Sequence, residues 1–174
     1  MSIQERDNGI RFALKILLPI ACLLWLAFIL TNSLRSAEGS SEQSVAMVEV
    51  VQEVAKVIAP ESSIANATGE AYDQLHSSIR ACAHFVEFAV LGALFCWCYF
   101  VYTLEWKRVY WPTVGTLLVP ILDEGLQLFS EGRAWQLTDI LLDSFGGVAG
   151  IAFAVLCIAV GKRIYERVAL RKNN

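Results

Sequence analysis

Long apolar blocks separated by polar segments are the dominant pattern in this chain. Four blocks reach the roughly 20 residues that a helix needs to cross a hydrocarbon core. They cover residues 12–30, 81–104, 109–129 and 137–160. The pattern therefore predicts an all-α fold: an integral membrane bundle of four transmembrane helices, joined by short polar turns between the last three.

The segment 31–80, between the first two spans, is polar and is predicted to lie outside the membrane. Residues 31–44, which are rich in serine, indicate a loop. From Ser44 to Ile58, apolar residues recur at helical spacing with charged residues opposite them, which predicts an external amphipathic helix. A helix is expected to resume near Glu70 and to continue into the second span.

The distribution of basic residues indicates the orientation. Ten of the 14 Lys and Arg residues fall on one side if the N-terminus is cytoplasmic, and positive loops are retained in the cytoplasm. We predict a multi-pass protein of the cell inner membrane with both termini cytoplasmic: an N-terminal segment 1–11, a transmembrane domain 12–161 and a basic tail 162–174. A signal peptide is the alternative for the first span, but its apolar run is too long and no small-x-small cleavage site follows it.

Composition narrows the class further. The chain is 56% hydrophobic and 18% charged, and its net charge of −3 argues against a nucleic-acid partner. The five cysteines lie in apolar blocks and are interpreted as small buried hydrophobic residues. Cys96 and Cys98 have a spacing that suits neither a redox pair nor a metal clip.

Ionisable residues inside the predicted spans are the informative feature, because such side chains are costly in lipid and usually face a polar interior or a functional cavity. They occur on three helices, all at the ends predicted to face outwards. The candidate site cluster comprises Arg80, His84, Glu87, Asp123, Glu124, Gln127, Arg133, Asp139 and Asp143. Purely structural contacts between helices are the alternative explanation.

Charge distinguishes these explanations, because five carboxylates of the cluster face only Arg80 and Arg133. Either some carboxyl groups are protonated by burial, or the site expects a cation or a basic ligand. Three chemistries stay open: a divalent metal on His84, Glu87 and Asp123; acid–base catalysis by paired carboxylates with His84; and ligand binding with arginines for an anionic group. No obligatory cofactor is predicted.

Four segments, in this order, resemble the VanZ-like family of small bacterial membrane proteins. They are TNSLRSAEGSSEQS at 31–44, RACAHFVEF at 80–88, DEGLQLFSEGR at 123–133 and DILLDSFGGVAG at 139–150. The resemblance assigns functional positions to the same cluster and adds Ser33. Asp143 stands where many members have asparagine, and Gly125-Leu126 replaces a histidine that often precedes the glutamine, which weakens the metal hypothesis.

The resemblance implies a role at the cell envelope, with a link to glycopeptide (teicoplanin-type) resistance. Our leading hypothesis is a protein that binds a polar or amphiphilic envelope molecule at an outward-facing charged cluster. The expected partners are membrane lipids and an envelope glycan, glycopeptide or lipid-linked molecule; the oligomeric state is left open. The alternatives are a membrane-embedded hydrolase or transferase acting on a lipid-linked or glycan substrate, and an ion-coupled permease.

Overall fold

The computed structural model describes residues 3–172, with side chains described for residues 8–168 and 170. The terminal residues of the predicted cytoplasmic ends, 1–2 and 173–174, lie outside this range. The described residues form five helices: α1 Ile3–Ser33, α2 Ala37–Ile58, α3 Glu70–Thr103, α4 Tyr110–Gln127 and α5 Leu137–Lys172. The all-α prediction is confirmed.

The helices α1, α3, α4 and α5 alternate in direction along one bundle. At one end, the Ser33 hydroxyl of α1 donates to the Asp123 carboxylate of α4. At the other end, the Tyr102 hydroxyl of α3 donates to the Lys15 carbonyl of α1 at 2.6 Å. We call the first the polar end and the second the basic end. α1 and α4 therefore run towards the polar end, whereas α3 and α5 run away from it.

Glycines allow α3 and α5 to pack side by side and parallel. A Cβ atom added at Gly92 of α3 would lie 2.1 Å from the carbonyl oxygen of Gly147 on α5. One added at Gly150 would lie 1.8 Å from the Ala89 carbonyl oxygen. The backbones thus touch directly, as small residues allow between packed membrane helices.

Beyond the glycines, this interface continues into an apolar core towards the basic end. Ala93 and Cys96 of α3 are buried against Ile151, Ala154 and Ile158 of α5. These residues keep the two helices in contact over most of the thickness of the bundle.

The prediction of four helices that are each long and apolar enough to cross a membrane is corrected to three. Among the described residues, the helices long and apolar enough to cross a membrane are Asn8–Ser33, Glu70–Thr103 and Leu137–Val168. α4 does not qualify, because its 18 residues include two prolines, Pro112 and Pro120, and end in the polar sequence around Asp123 and Glu124. Its average composition is therefore too polar for a span that stands alone.

The loop predicted over residues 31–44 is wrong for most of its length. α1 continues to Ser33, and α2 begins already at Ala37, so that only three residues separate the two helices. The Ser36 side chain caps α2 by accepting a hydrogen bond from the Gly39 backbone at 3.2 Å. Serine-rich composition thus marked a helix N-cap rather than a loop. The end of α2 at Ile58 and the start of α3 at Glu70 agree with the predictions.

The cysteine prediction is confirmed for two of the five residues. Cys22 and Cys96 are buried and Cys98 is half-buried, whereas Cys82 and Cys157 are exposed on the bundle surface. In a membrane protein, a cysteine in an apolar segment can face either lipid or the protein interior. The apolar sequence context therefore did not distinguish buried from exposed cysteines.

Candidate functional site

Nine of the ten predicted site residues lie on α1, α3, α4 and α5 near the polar end, and the tenth, Arg133, lies in the turn between α4 and α5. On α3, Arg80, His84 and Glu87 are spaced i, i+4 and i+7 and are all half-buried. On α5, Asp143 is 1% exposed and lies one turn after the half-buried Asp139. Eight of the ten residues line two cavities at this end of the bundle.

Asp123 is held by hydrogen bonds to both of its carboxylate oxygens. Oδ1 accepts from the Ser33 hydroxyl of α1, and Oδ2 accepts from Gln127 Nε2 at 3.0 Å. All three residues are buried, with Asp123 only 2% exposed. These hydrogen bonds satisfy both oxygens of the buried carboxylate, and the bond from Ser33 joins α1 to α4 at the polar end.

Glu124 serves a different purpose. Its side chain is 1% exposed, and its Oε1 accepts a hydrogen bond from the Gln136 backbone N–H at 2.7 Å. Glu124 therefore holds the turn that precedes α5. The structure buries this carboxyl group within the bundle, and neither Glu124 nor Gln127 lines either of the two cavities.

His84 and Asp143 face one another between α3 and α5. His84 Nδ1 lies 3.6 Å from Asp143 Oδ1, which is ion-pair distance but longer than a hydrogen bond. Both residues border a cavity of about 210 Å³, together with Arg80 and Asp139. We call this the small cavity.

A second cavity of about 410 Å³ lies on the other side of Arg80 and His84, between α1, α2 and α3. We call it the large cavity. Its predicted polar lining residues are Ser33, Arg80, His84, Glu87, Asp123 and Arg133. Its remaining polar lining residues were not predicted: Asn32, Arg35, Ser40, Gln43 and Ser44. Its apolar lining residues are Phe28, Ile29, Ala46, Met47, Ile79 and Ala83.

The unpredicted residues of the large cavity come from the end of α1 and from α2. They were missed because residues 31–44 were assigned to a loop. The signal that would have found them is the helical spacing of Ser40, Gln43, Ser44 and Met47, which places these side chains on one face of α2.

Two turns are fastened to each other at the mouth of this site. The Ala37 backbone N–H donates to the Glu131 carbonyl at 3.0 Å, and the Ser130 hydroxyl donates to the Ser33 carbonyl at 2.9 Å. Gly132 adopts a φ of +76°, and a Cβ atom there would lie 3.2 Å from Ala37 Cβ. Glycine is therefore required before Arg133, both for the backbone conformation and for the close approach of the α1–α2 turn.

Arginines dominate the charged lining of the large cavity. Arg35, Arg80 and Arg133 face the carboxylates of Glu87 and Asp123. Within the described part of the chain, none of the three arginines forms an ion pair within 4.0 Å. Burial lowers the pKa of Arg133, and the positive charge of Arg80 lowers it further. Two cations thus lie close enough to repel each other.

The metal hypothesis receives no support from this arrangement. Its three residues have separate partners or positions: Asp123 is bound to Ser33 and Gln127, and His84 faces Asp143 rather than Glu87. Among the described residues, no group of three or more His, Cys, Asp or Glu side chains is arranged to hold a metal ion.

Fold and site together define a helical protein of membrane type, with a polar, charge-lined chamber enclosed at one end of an otherwise apolar bundle. The VanZ/LLP1 family model matches residues 18–158. The chain belongs to this family. A comparison with curated proteins and one with solved structures found no match.

Proposed function

We propose that this VanZ-like protein binds a polar or amphiphilic cell-envelope molecule in the large cavity. The observation that carries the proposal is the mixed lining of one chamber, in which arginines and carboxylates meet an apolar wall. Its volume of about 410 Å³ falls in the range typical of small-molecule sites, roughly 300–1,000 Å³. Phe28 and Met47, which line the cavity, are also 46% and 54% exposed on the bundle surface. The apolar part of the chamber is therefore continuous with the surface that would face lipid.

We further propose that α4 returns the chain across the membrane inside the bundle. α3 and α5 are parallel, so the segment between them must travel back over the same distance. The exposed face of α4 is apolar, with Leu118 and Leu122 more than half exposed, whereas Asp123, Glu124 and Gln127 face inwards. The average composition of such a helix is too polar for it to cross a membrane by itself. Packed in the bundle, however, it presents only apolar side chains to lipid.

This topology supports an orientation with both ends in the cytoplasm of an inner-membrane protein. Lys15, Lys107 and Lys162 lie at the basic end, where their ammonium groups stack over the rings of Tyr102 and Trp106. Positive residues are retained on the cytoplasmic side, so the polar end would face outwards. A reporter fused after Asn174 should then report the cytoplasm, and one inserted near Ser63 the exterior.

A catalytic role is the second candidate, favoured by the pairing of His84 with Asp143. A carboxylate beside Nδ1 would orient the imidazole and stabilise its charged form, while the other ring nitrogen stayed free to accept a proton from a bound substrate. A hydrolase or transferase for a lipid-linked or glycan substrate would use this pair. Asp143→Asn should then reduce turnover more strongly than it reduces substrate binding.

The experiment for the binding proposal is mass spectrometry of lipids and glycans that copurify with the protein. Glu87→Gln and Asp139→Asn, which alter the two cavities separately, should be compared with the unmodified protein and with Glu105→Gln, an exposed site at the basic end. A bound species whose recovery changes in Glu87→Gln but not in Glu105→Gln supports the proposal. Identical copurification profiles in all variants contradict it. Glycopeptide susceptibility provides a parallel phenotype.

A further inference from the structure

We propose that the large cavity recognises a phosphate group of its ligand through Arg35, Arg80 and Arg133. This inference rests on the proposed binding function and specifies the chemistry of the ligand. It differs from the expectation drawn from the sequence, in which an excess of carboxylates predicted a cation or a basic group.

The inference depends on the net charge of the residues that line the large cavity, which differs from the net charge of the whole candidate site cluster. Of the five carboxylates in the cluster, only Glu87 and Asp123 line the large cavity, and Arg35 adds a third arginine. Even if His84 is counted as neutral, three positive charges face two negative ones. Asp123 already accepts hydrogen bonds from Ser33 and Gln127, which reduces its availability to the arginines.

The three arginines come from separate parts of the chain and are positioned by the fold. Arg35 follows α1, Arg80 lies on α3, and Arg133 precedes α5. The bonds between the α1–α2 and α4–α5 turns hold Arg35 and Arg133 at the same end of the bundle. Because the described residues offer these guanidinium groups no ion pair, their donors are available to an anion. Guanidinium groups approaching from several sides suit a tetrahedral phosphate better than a planar carboxylate, which has only two oxygens.

The apolar lining of the large cavity indicates that the rest of the ligand is a hydrocarbon chain. Phe28 lies five residues before Ser33, the last residue of α1, which is about 7.5 Å along a helix of 1.5 Å rise per residue, and Arg35 follows Ser33 by two residues. The exposed face of α1 continues below Phe28 with Leu24 and Leu23, each 67% exposed. A phosphate at the arginines would therefore have its hydrocarbon chain directed along α1 into the lipid layer. The ligand class is a phosphate-bearing amphiphile.

The test uses the full-length protein, purified in a neutral detergent, and a matched pair of probes. Phosphatidic acid and diacylglycerol with the same acyl chains differ only in the phosphate, and inorganic phosphate represents the headgroup alone. Native mass spectrometry measures the affinity of each. We expect phosphatidic acid to bind at least about tenfold more tightly than diacylglycerol, since the phosphate would accept several charge-assisted hydrogen bonds.

The variants separate recognition from folding. Arg35→Gln alters an exposed residue after α1, so the variant should fold normally and lose about tenfold in affinity for phosphatidic acid while its affinity for diacylglycerol is unchanged. Arg80→Gln and Arg133→Gln should behave in the same way. Arg108→Gln is the matched control, because Arg108 pairs with Glu105 at 3.1 Å at the basic end.

Each contrary outcome has a distinct meaning. Equal affinity for phosphatidic acid and diacylglycerol would overturn phosphate recognition and leave the proposed binding of an amphiphile standing. Inorganic phosphate binding as tightly as phosphatidic acid would overturn the apolar part of the assignment and identify a soluble phosphate compound. Equal losses in Arg35→Gln and Arg108→Gln would overturn the assignment of the arginines. Failure of all three probes would overturn the inference, whereas the proposed function is judged separately by the copurification experiment.

Discussion

The contact between α3 and α5 provides a sharp test of the fold, through the substitution Gly150→Ala. The added Cβ would lie 1.8 Å from the carbonyl oxygen of Ala89 and 2.6 Å from its carbonyl carbon. Ordinary carbon–oxygen contacts are about 3.3 Å or longer, so the helices would have to separate by more than an ångström. Both obstructing atoms belong to the backbone and have no rotamer to change. Overpacking of this kind costs about 1–3 kcal/mol, and the rigid obstacle favours the upper part of that range.

Gly161→Ala on the same helix is the matched control. A Cβ atom at Gly161 meets nothing within 4 Å, so the substitution should only remove the conformational cost of glycine in a helix, at most about 1 kcal/mol. The gain from replacing a helical glycine is common to both variants, so they should differ by the overpacking cost alone, about 2–3 kcal/mol in the free energy of unfolding. Unfolding of the purified proteins by heat and by sodium dodecyl sulfate, followed by circular dichroism in one detergent, measures this difference. Equal stability of the two variants would show that α3 and α5 do not touch as described.

Substitutions at three further positions test the polar end by the same unfolding measurement. Ser33→Ala removes a donor from the buried Asp123 carboxylate and should cost about 1–3 kcal/mol; an unchanged midpoint would refute that contact. Glu124→Gln keeps a side-chain oxygen for the Gln136 backbone N–H and should stay close to the unmodified stability, whereas Glu124→Leu should lose about 1–3 kcal/mol; equal effects would refute the role of this acceptor. Gly132→Ala forces a side chain into a positive φ and should cost at least about 1–2 kcal/mol, so a neutral result would contradict the turn geometry.

Much of the fold was predictable because its strongest determinant is local. Apolar blocks of sufficient length specify helices wherever they occur, and the blocks at 12–30, 81–104 and 137–160 all lie inside spanning helices. α4 shows where this reasoning fails. A block that contains prolines and ends in Asp123 and Glu124 has a polarity that depends on which face is buried, and burial is decided by neighbouring helices far away in the sequence.

The sequence predicted which polar residues lie near one another at the polar end, but not how they are arranged there. Helical spacing correctly placed Arg80, His84 and Glu87 on one side of α3. It did not show that Glu124 would accept a hydrogen bond from the α4–α5 turn, or that Arg35 and Arg80 would line the same cavity. Both results depend on how the turns pack, which helical spacing does not specify. The error over residues 31–44 had the largest consequence, because assigning a loop there removed one wall of the large cavity and left Arg35, one of its three arginines, out of the candidate site.

The residues that match the family motifs therefore divide by what their side chains touch. Ser33, Gln127 and Glu124 bond to other parts of the protein and hold the polar end together, whereas Arg80 and His84 border both cavities. Loss of function after substitution would be expected in both groups, so activity alone does not separate a binding residue from a supporting one. Stability does separate them. Substitution of a supporting residue should lower the midpoint of unfolding. Substitution of a cavity arginine removes its repulsion of the neighbouring arginine, so it should lower the affinity for the ligand while stability stays constant or increases.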